Sequence, residues 1–216
     1  MVTLTPHMLL RAYGLGVFPM AEGRHDPHVY WIDPEMRGIL PLDRIHISRS
    51  LRKKVRHNPF EIRCDSDFDA VIEACAAPGP GRADTWINRQ IHQLNRQLFD
   101  MGFAHTVECW KDGEMVGGLY GISVGGAFFG ESMFSRATDA SKVALVHLAV
   151  RLRLGGYLLL DTQFVTPHLQ QFGTIEIPRA EYRQRLSRAI GKTAKFQGIV
   201  SSEEVEAFLQ STTQTS

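Results

Sequence analysis

The sequence predicts an α+β fold built around one mostly antiparallel sheet, and three observations point there. The first is the stretch 116–142, VGGLYGISVGGAFFGESMFSRATDASK, with six glycines and four aromatic residues, Tyr120, Phe128, Phe129 and Phe134. The second is Asp112-Gly113 just before it, a strong hairpin signal. The third is the order of segments after it: a long amphipathic helix, the short apolar strand YLLLD, a short helix, a strand and another helix. A meander followed by this alternation is an α+β order.

Thr5-Pro6 reads as the cap and first residue of a helix that Gly14 ends. GVFPM (16–20) is extended or turning, because the residue before proline avoids the α region. Residues 21–29 read as loop. In 30–42 Trp31 lies beside Asp33-Pro34; it is either an anchor for a small core or a stacking platform. Residues 44–57 carry Arg44, Arg49, Arg52, Lys53, Lys54 and Arg56 with no acidic residue, in a chain of net charge only +1. A solvated helix face would explain that run; so would a surface for several phosphates, at Arg49, Arg52, Lys53 and Lys54. Asn58-Pro59 breaks the chain, which sets a small N-terminal domain at 1–60 and a larger domain at 61–216.

Ser66 is the expected cap of a helix with Phe68, Val71, Ile72 and Cys75 on one face. Pro78-Gly79-Pro80-Gly81 is a loop. Trp86 precedes a second helix, with Ile87, Ile91, Leu94 and Leu98 on its core side and Gly102 at its end. Residues 105–111, 114–122 and 127–131 form the meander. Asp139 or Ser141 opens the long helix through Leu154. Residues 157–161 make a strand, Thr166-Pro167 a short helix, 174–178 a last strand and 179–190 a helix. Residues 193–216 hold one weaker helix and a polar tail. This is the order of the GNAT-like acyltransferase fold, in which the sheet splits around an acyl donor. Here the parting strands would be 127–131 and 157–161.

The 216 residues are enough to bury roughly 70% of the unfolded surface. The three cysteines, Cys64, Cys75 and Cys109, form no CxxC pair, which predicts neither a disulfide framework nor structural zinc. No apolar run reaches the ~20 residues a membrane span needs. With no signal-peptide pattern at the start, a cytoplasmic protein without membrane contact is expected.

Nucleophile, metal and phosphate-loop motifs are missing: GxSxG, HExxH, the P-loop and GxGxxG do not occur. Ser132, Ser135 and Ser141 have no evident base. What remains is Asp161 and Gln163, one residue apart on an extended strand end and so on one side, with Glu131 ending the neighbouring strand. These groups can hold an ammonium and accept its proton; a simple strand-end cap is the plainer alternative. Asp161 is expected to matter for turnover more than for folding.

The strings GVFPM (16–20), WIDPEMRG (31–38), GGLYG and FFGESMFSR (within 117–136), ASKVAL (140–145), LDTQF (160–164) and FGTIEIPR (172–179) occur together in this order. On them the chain resembles the leucyl/phenylalanyl-tRNA–protein transferase family over most of residues 14–182. Thr162 departs from the Cys found in some members. The resemblance implies transfer of Leu or Phe from aminoacyl-tRNA to proteins with N-terminal Arg or Lys, without cofactor or metal, by a monomer. It implies Asp161 and Gln163 as the catalytic pair. Leu119, Phe128, Gly130 and Glu131 would line the aminoacyl pocket or orient substrate, and Trp31 and Trp86 would flank the terminal adenosine. Two other classes stay open: an acyl-CoA N-acetyltransferase and a non-catalytic RNA-binding module. Against the first, Arg136-Ala137-Thr138-Asp139-Ala140-Ser141 lacks the glycines of a pyrophosphate cradle.

Overall fold

A computed structural model describes residues 4–79 and 83–212; the expected turn at Pro80-Gly81 and the last four residues of the tail lie outside them. The chain opens with α1 (Pro6–Gly14), β1 (Phe18–Met20), β2 (Tyr30–Ile32), β3 (Met36–Ile39) and α2 (Arg49–His57). It continues with β4 (Glu61–Arg63), α3 (Phe68–Ala76), α4 (Arg89–Asp100), β5 (Ala104–Lys111), β6 (Glu114–Val124) and β7 (Ala127–Ser135). It ends with α5 (Ala140–Leu154), β8 (Leu159–Gln163), α6 (Pro167–Gln170), β9 (Ile175–Pro178), α7 (Arg179–Ile190) and α8 (Ser202–Ser211).

The result is a mixed α/β molecule with one large mixed sheet. Seven strands run in the order β4-β5-β6-β7-β8-β3-β9, and β1 and β2 form a separate hairpin-like pair. All pairings in the large sheet are antiparallel except β7 with β8, which α5 connects as a crossover. The expected meander is present, turning at Asp112-Gly113 with both residues at positive φ. The expected boundary near residue 60 falls between α2 and β4. A division there would separate β3 from both its neighbours, β8 and β9. That strand was not evident in 30–42, because only four residues of it pair.

Two cores lie on the two faces of the sheet. One joins α1, α3, α4 and α7 through residues such as Tyr13, Phe68, Ile91 and Leu186 to Tyr120, Ile122 and Phe129. The other joins α2, α5 and α8 through Val55, Val146 and Leu209 to Val107, Leu119 and Phe128. Adjacent residues such as Leu119 and Tyr120 go to opposite cores, as the two-residue period of a strand requires. The cap of α3 is Asp67, not Ser66: its carboxylate accepts from the Ala70 amide at 3.0 Å. Ser66 instead donates to Glu108, a buried carboxylate that also takes the Ser66 and Asp67 amides and the Trp110 indole. Glu108 thus pins the start of α3 to β5, and its carboxyl group lies below its ordinary value: burial alone would raise it, and these donors outweigh that.

The glycines of β6 are explained by close approach. A methyl group on Gly117 would run into Ala140, and one on Gly121 into the Phe129 carbonyl and the Phe128 ring. We predict that Gly121→Ala lowers stability by ~1–3 kcal/mol, the usual cost of overpacking. Urea unfolding of the two proteins measures it.

Candidate active site

The sheet opens between β7 and β8. They pair in parallel from Ala127–Leu159 to Phe129–Asp161 and then part. Two bulges mark the place. On β7, Tyr120 pairs with Ser132 while Gly121 pairs with Gly130, so Glu131 is the extra residue. On β8, Gly38 pairs with Gln163 while Ile39 pairs with Asp161, so Thr162 is extra. A bulge bends its strand and re-aims its side chain. Here the two bulges open a cavity of about 490 Å³ whose lining includes Glu131, Thr162 and Gln163. Its apolar wall includes Leu119, Met133, Leu145, Leu148 and Leu160.

Asp161 does not line this cavity. It is fully buried behind it. Arg37 Nε donates to both carboxylate oxygens at 3.0 and 3.1 Å and its Nη2 to Oδ2 at 2.6 Å. The remaining guanidinium nitrogen donates to the Gly16 carbonyl. Arg37 lies between the Phe18 and Tyr182 rings, 4.4 and 4.6 Å from their centroids. Burial pulls its pKa down, but the neighbouring Asp161 carboxylate holds it above the ordinary value. Tyr182 adds a hydroxyl donor at 2.6 Å, and its own pKa is raised by burial and by the Asp161 charge.

Asp161 also accepts from the Gln163 amide at 2.7 Å. Gln163 sits at φ 62°, a region L-residues rarely adopt, and the Phe164 amide donates back to the Thr162 carbonyl at 2.7 Å. This is a tight three-residue turn with strained backbone. It aims Gln163 at Glu131: Nε2 donates to Glu131 Oε1 at 2.9 Å, where Tyr13 Oη also donates at 2.9 Å. Glu131 Oε2 has no protein partner. Burial pushes the Glu131 carboxyl up to about 8, against the pull of the Tyr13 and Gln163 donors.

The other expected residues divide. Leu119 and Gly130 line the cavity, as does Trp86. Phe128 does not: it is fully buried in the core behind the wall, edge-on to Tyr157. Trp31 lies outside the lining, exposed on β2 opposite Pro19. Of the basic residues on α2, Arg49 and Lys53 face solvent. Lys54 is half-buried and paired with Asp139 at 2.6 Å. Arg52 is a correction. It is turned inward and caps the end of α8, donating to the Ile47 and Leu209 carbonyls and to Thr212, so it offers nothing to a phosphate. Its place in a helix with buried Leu51 and Val55 is the signal that could have shown this. Arg37, Tyr13 and Tyr182 were missed. The signal for Arg37 was its place in MRGIL, a charge inside an otherwise apolar strand. Among the described residues no group of three His, Cys, Asp or Glu is placed to hold a metal ion.

Comparison with known proteins gives two family models. Residues 39–187 match leucyl/phenylalanyl-tRNA protein transferase, and residues 3–35 match the N-terminal domain of the same proteins. The chain belongs to the leucyl/phenylalanyl-tRNA–protein transferase family. Curated members of this transferase family agree along nearly the whole length. The one from Paramagnetospirillum magneticum is 60% identical over 193 residues, 89% of this chain and 92% of that one. The one from Maricaulis maris is 56% identical over 208 residues, 96% of both. The transferase of Rhodospirillum rubrum is 57% identical over 190 residues, 88% of this chain and 89% of its own.

Two predictions follow from the buried charges of this family member. Asp161→Ala strands Arg37 in the interior, so we expect a stability loss of ~3–5 kcal/mol in urea titration, against the earlier expectation of a mainly catalytic role. Glu131 holds its proton to about 8, while the unfolded side chain ionises near 4.5. Unfolding therefore releases a proton between these values, and stability falls as pH rises through that window. Glu131→Gln should remove this slope, giving a melting temperature higher than wild type at the alkaline end and similar to it at the acid end.

Proposed function

We propose that the chain moves Leu or Phe, and Met less well, from aminoacyl-tRNA to the α-amino group of proteins with N-terminal Arg or Lys, marking them for N-degron proteolysis. One observation carries this reading: a buried Glu131–Gln163 pair at the edge of an apolar cavity, where two strands part. That parting also supports the GNAT-like assignment. The Leu or Phe side chain enters the apolar part, which discriminates by only ~1–3 kcal/mol per methylene. Trp86 beside the cavity, with Trp31 on the adjoining hairpin, stacks on the terminal adenosine, each base contact being worth ~1–3 kcal/mol. Arg49, Lys53 and Lys54 face the tRNA backbone through phosphates, without reading sequence.

The acceptor arrives as an ammonium. Glu131 Oε2 receives it, and Gln163 turns its Oε1 to it, since Nε2 is committed to Glu131. Glu131 takes the proton in its ionised form, which the arriving ammonium favours over the protonated form that burial imposes near neutrality. The freed amine attacks the ester carbonyl. A C–N bond forms and the ester C–O bond breaks; of the two protons the nitrogen gives up between ammonium and amide, one passes by way of Glu131 to the departing ribose oxygen and the other leaves to solvent. The ester is activated, so no ATP is needed, and alignment alone supplies ~7–11 kcal/mol of barrier lowering. Asp161 takes no part in proton transfer; it is a positioning residue that holds the Gln163 turn.

An acyl-CoA enzyme is disfavoured by Asp139. Its carboxylate stands at the start of α5, paired with Lys54 and Lys142, where a pyrophosphate would have to bind. Among the described residues no helix is long and apolar enough to cross a membrane; a cytoplasmic monomer fits this reading. The test is incubation of labelled Phe-tRNA with peptides that begin with Arg, Lys or Ala. Transfer to Arg and Lys far above Ala is expected, and equal use of Ala would refute the selectivity. Glu131→Gln should lower kcat by ~10²-fold or more and narrow the Arg-over-Ala preference.

A further inference from the structure

A second cavity, of about 550 Å³, lies on the other side of α5. Its walls come from α2 (Val55, Arg56), β4 (Glu61, Ile62), α5 (His147, Arg151) and the start of α8 (Ser201, Ser202). It shares no lining residue with the active-site cavity.

Two polar side chains in it are more than nine-tenths buried, Arg151 at 3% and His147 at 7% exposure. Among the described residues Arg151 has no carboxylate within salt-bridge distance. Its neighbours are the His147 carbonyl at 3.0 Å and ring Nδ1 at 3.4 Å, and the Gly198 carbonyl at 3.5 Å. The Cys64 thiol hydrogen-bonds the Arg151 side chain but offers no charge, because burial pushes its pKa up to about 11. Arg151 Nε and His147 Nε2 have no partner at all.

The tautomer can be assigned. Arginine only donates, so His147 Nδ1, facing Arg151 Nη1, must accept. Burial and the Arg151 charge push the ring pKa down to about 3, so it carries one proton, on Nε2. Both orphan atoms are therefore N–H donors, and one belongs to a buried cation. The acidic residues of the lining are already matched: Glu206 pairs with Arg56 and Glu61 with Arg63. The α8 N-terminus adds a favourable field for an anion, partly met by Glu203 and Glu204 in its first turn.

We propose that this cavity binds a phosphate group, with Arg151 Nε–H and His147 Nε2–H as its two donors. A phosphate can come free in solution, on a nucleotide, or in a nucleic-acid backbone passing the basic α2 that forms one wall.

The test is a titration of the full chain at constant ionic strength, reading the ¹⁵N–¹H signals of Arg151 Nε and His147 Nε2. Inorganic phosphate, AMP and a short oligonucleotide without terminal phosphates are the probes, with chloride as the control. Both signals should move together and saturate with at least one phosphate probe and not with chloride. Saturation by inorganic phosphate or AMP identifies a free anion, and saturation by the oligonucleotide alone identifies a backbone phosphate. Arg151→Met should abolish the response. Should that variant not fold, Ser202→Glu decides: an acidic residue in the first turn suits the helix but repels the ligand, and should weaken binding about tenfold or more. The inference is overturned if no probe gives a saturable shift, which means the cavity holds water only. It is overturned equally if affinity is unchanged in a folded Arg151→Met or in Ser202→Glu.

Discussion

The Arg37–Asp161 ion pair is the constraint on which the site depends. Each partner joins parts of the chain that lie far apart in sequence: Arg37 is on β3 and reaches the Gly16 carbonyl, while Asp161 is on β8 and takes the Tyr182 hydroxyl from α7. Burying two charges is costly unless every donor and acceptor is matched, and here the match is nearly complete. The pair holds the strained turn at Gln163 through a backbone amide. Strain of this kind persists only where the surroundings over-determine it. The line Arg37–Asp161–Gln163–Glu131–Tyr13 is thus one connected polar network, closed at one end and open at Glu131 Oε2.

The two bulges give the glycine-rich stretch its meaning. Glu131 stands out of register between Gly130 and Ser132, and the Gly121 opposite leaves room for the Phe129 carbonyl. A regular strand would have placed Glu131 in the ladder opposite β6. The cavity therefore lies where the backbone is mispaired, with apolar side chains of α5 lining part of it.

Much of this is legible in the amino-acid sequence. The meander, α7 and the strand carrying Asp161 follow from turn signals and hydrophobic period; α5, expected to be amphipathic, is instead buried on nearly every side. Gln163 follows from a polar group at a strand end; Glu131 was expected to end its strand, but β7 runs on to Ser135 and Glu131 is a bulge within it. What stayed hidden depends on contacts between distant segments. Nothing local tells that β3 inserts between β8 and β9, since strand order is set by packing. Nothing local separates Arg52, folded onto α8, from Arg49 and Lys53, which face water. Asp161 looked like a base because its neighbours along the chain are known from sequence, whereas Arg37 and Tyr182 are its neighbours only in space.

The hydroxyl of Tyr13 carries a further consequence, for how genes of this kind are read. Tyr13 lies in the first helix, ahead of every strand, yet it supplies one of the two donors on Glu131. A translation start assigned just past this helix would delete it while leaving every described strand in the sequence. Such a product would keep the family's recognisable strings from GVFPM onward and lose a hydroxyl that holds this buried carboxylate. Start-site assignment in this family is therefore a question about the active centre, and not only about the length of the N-terminus.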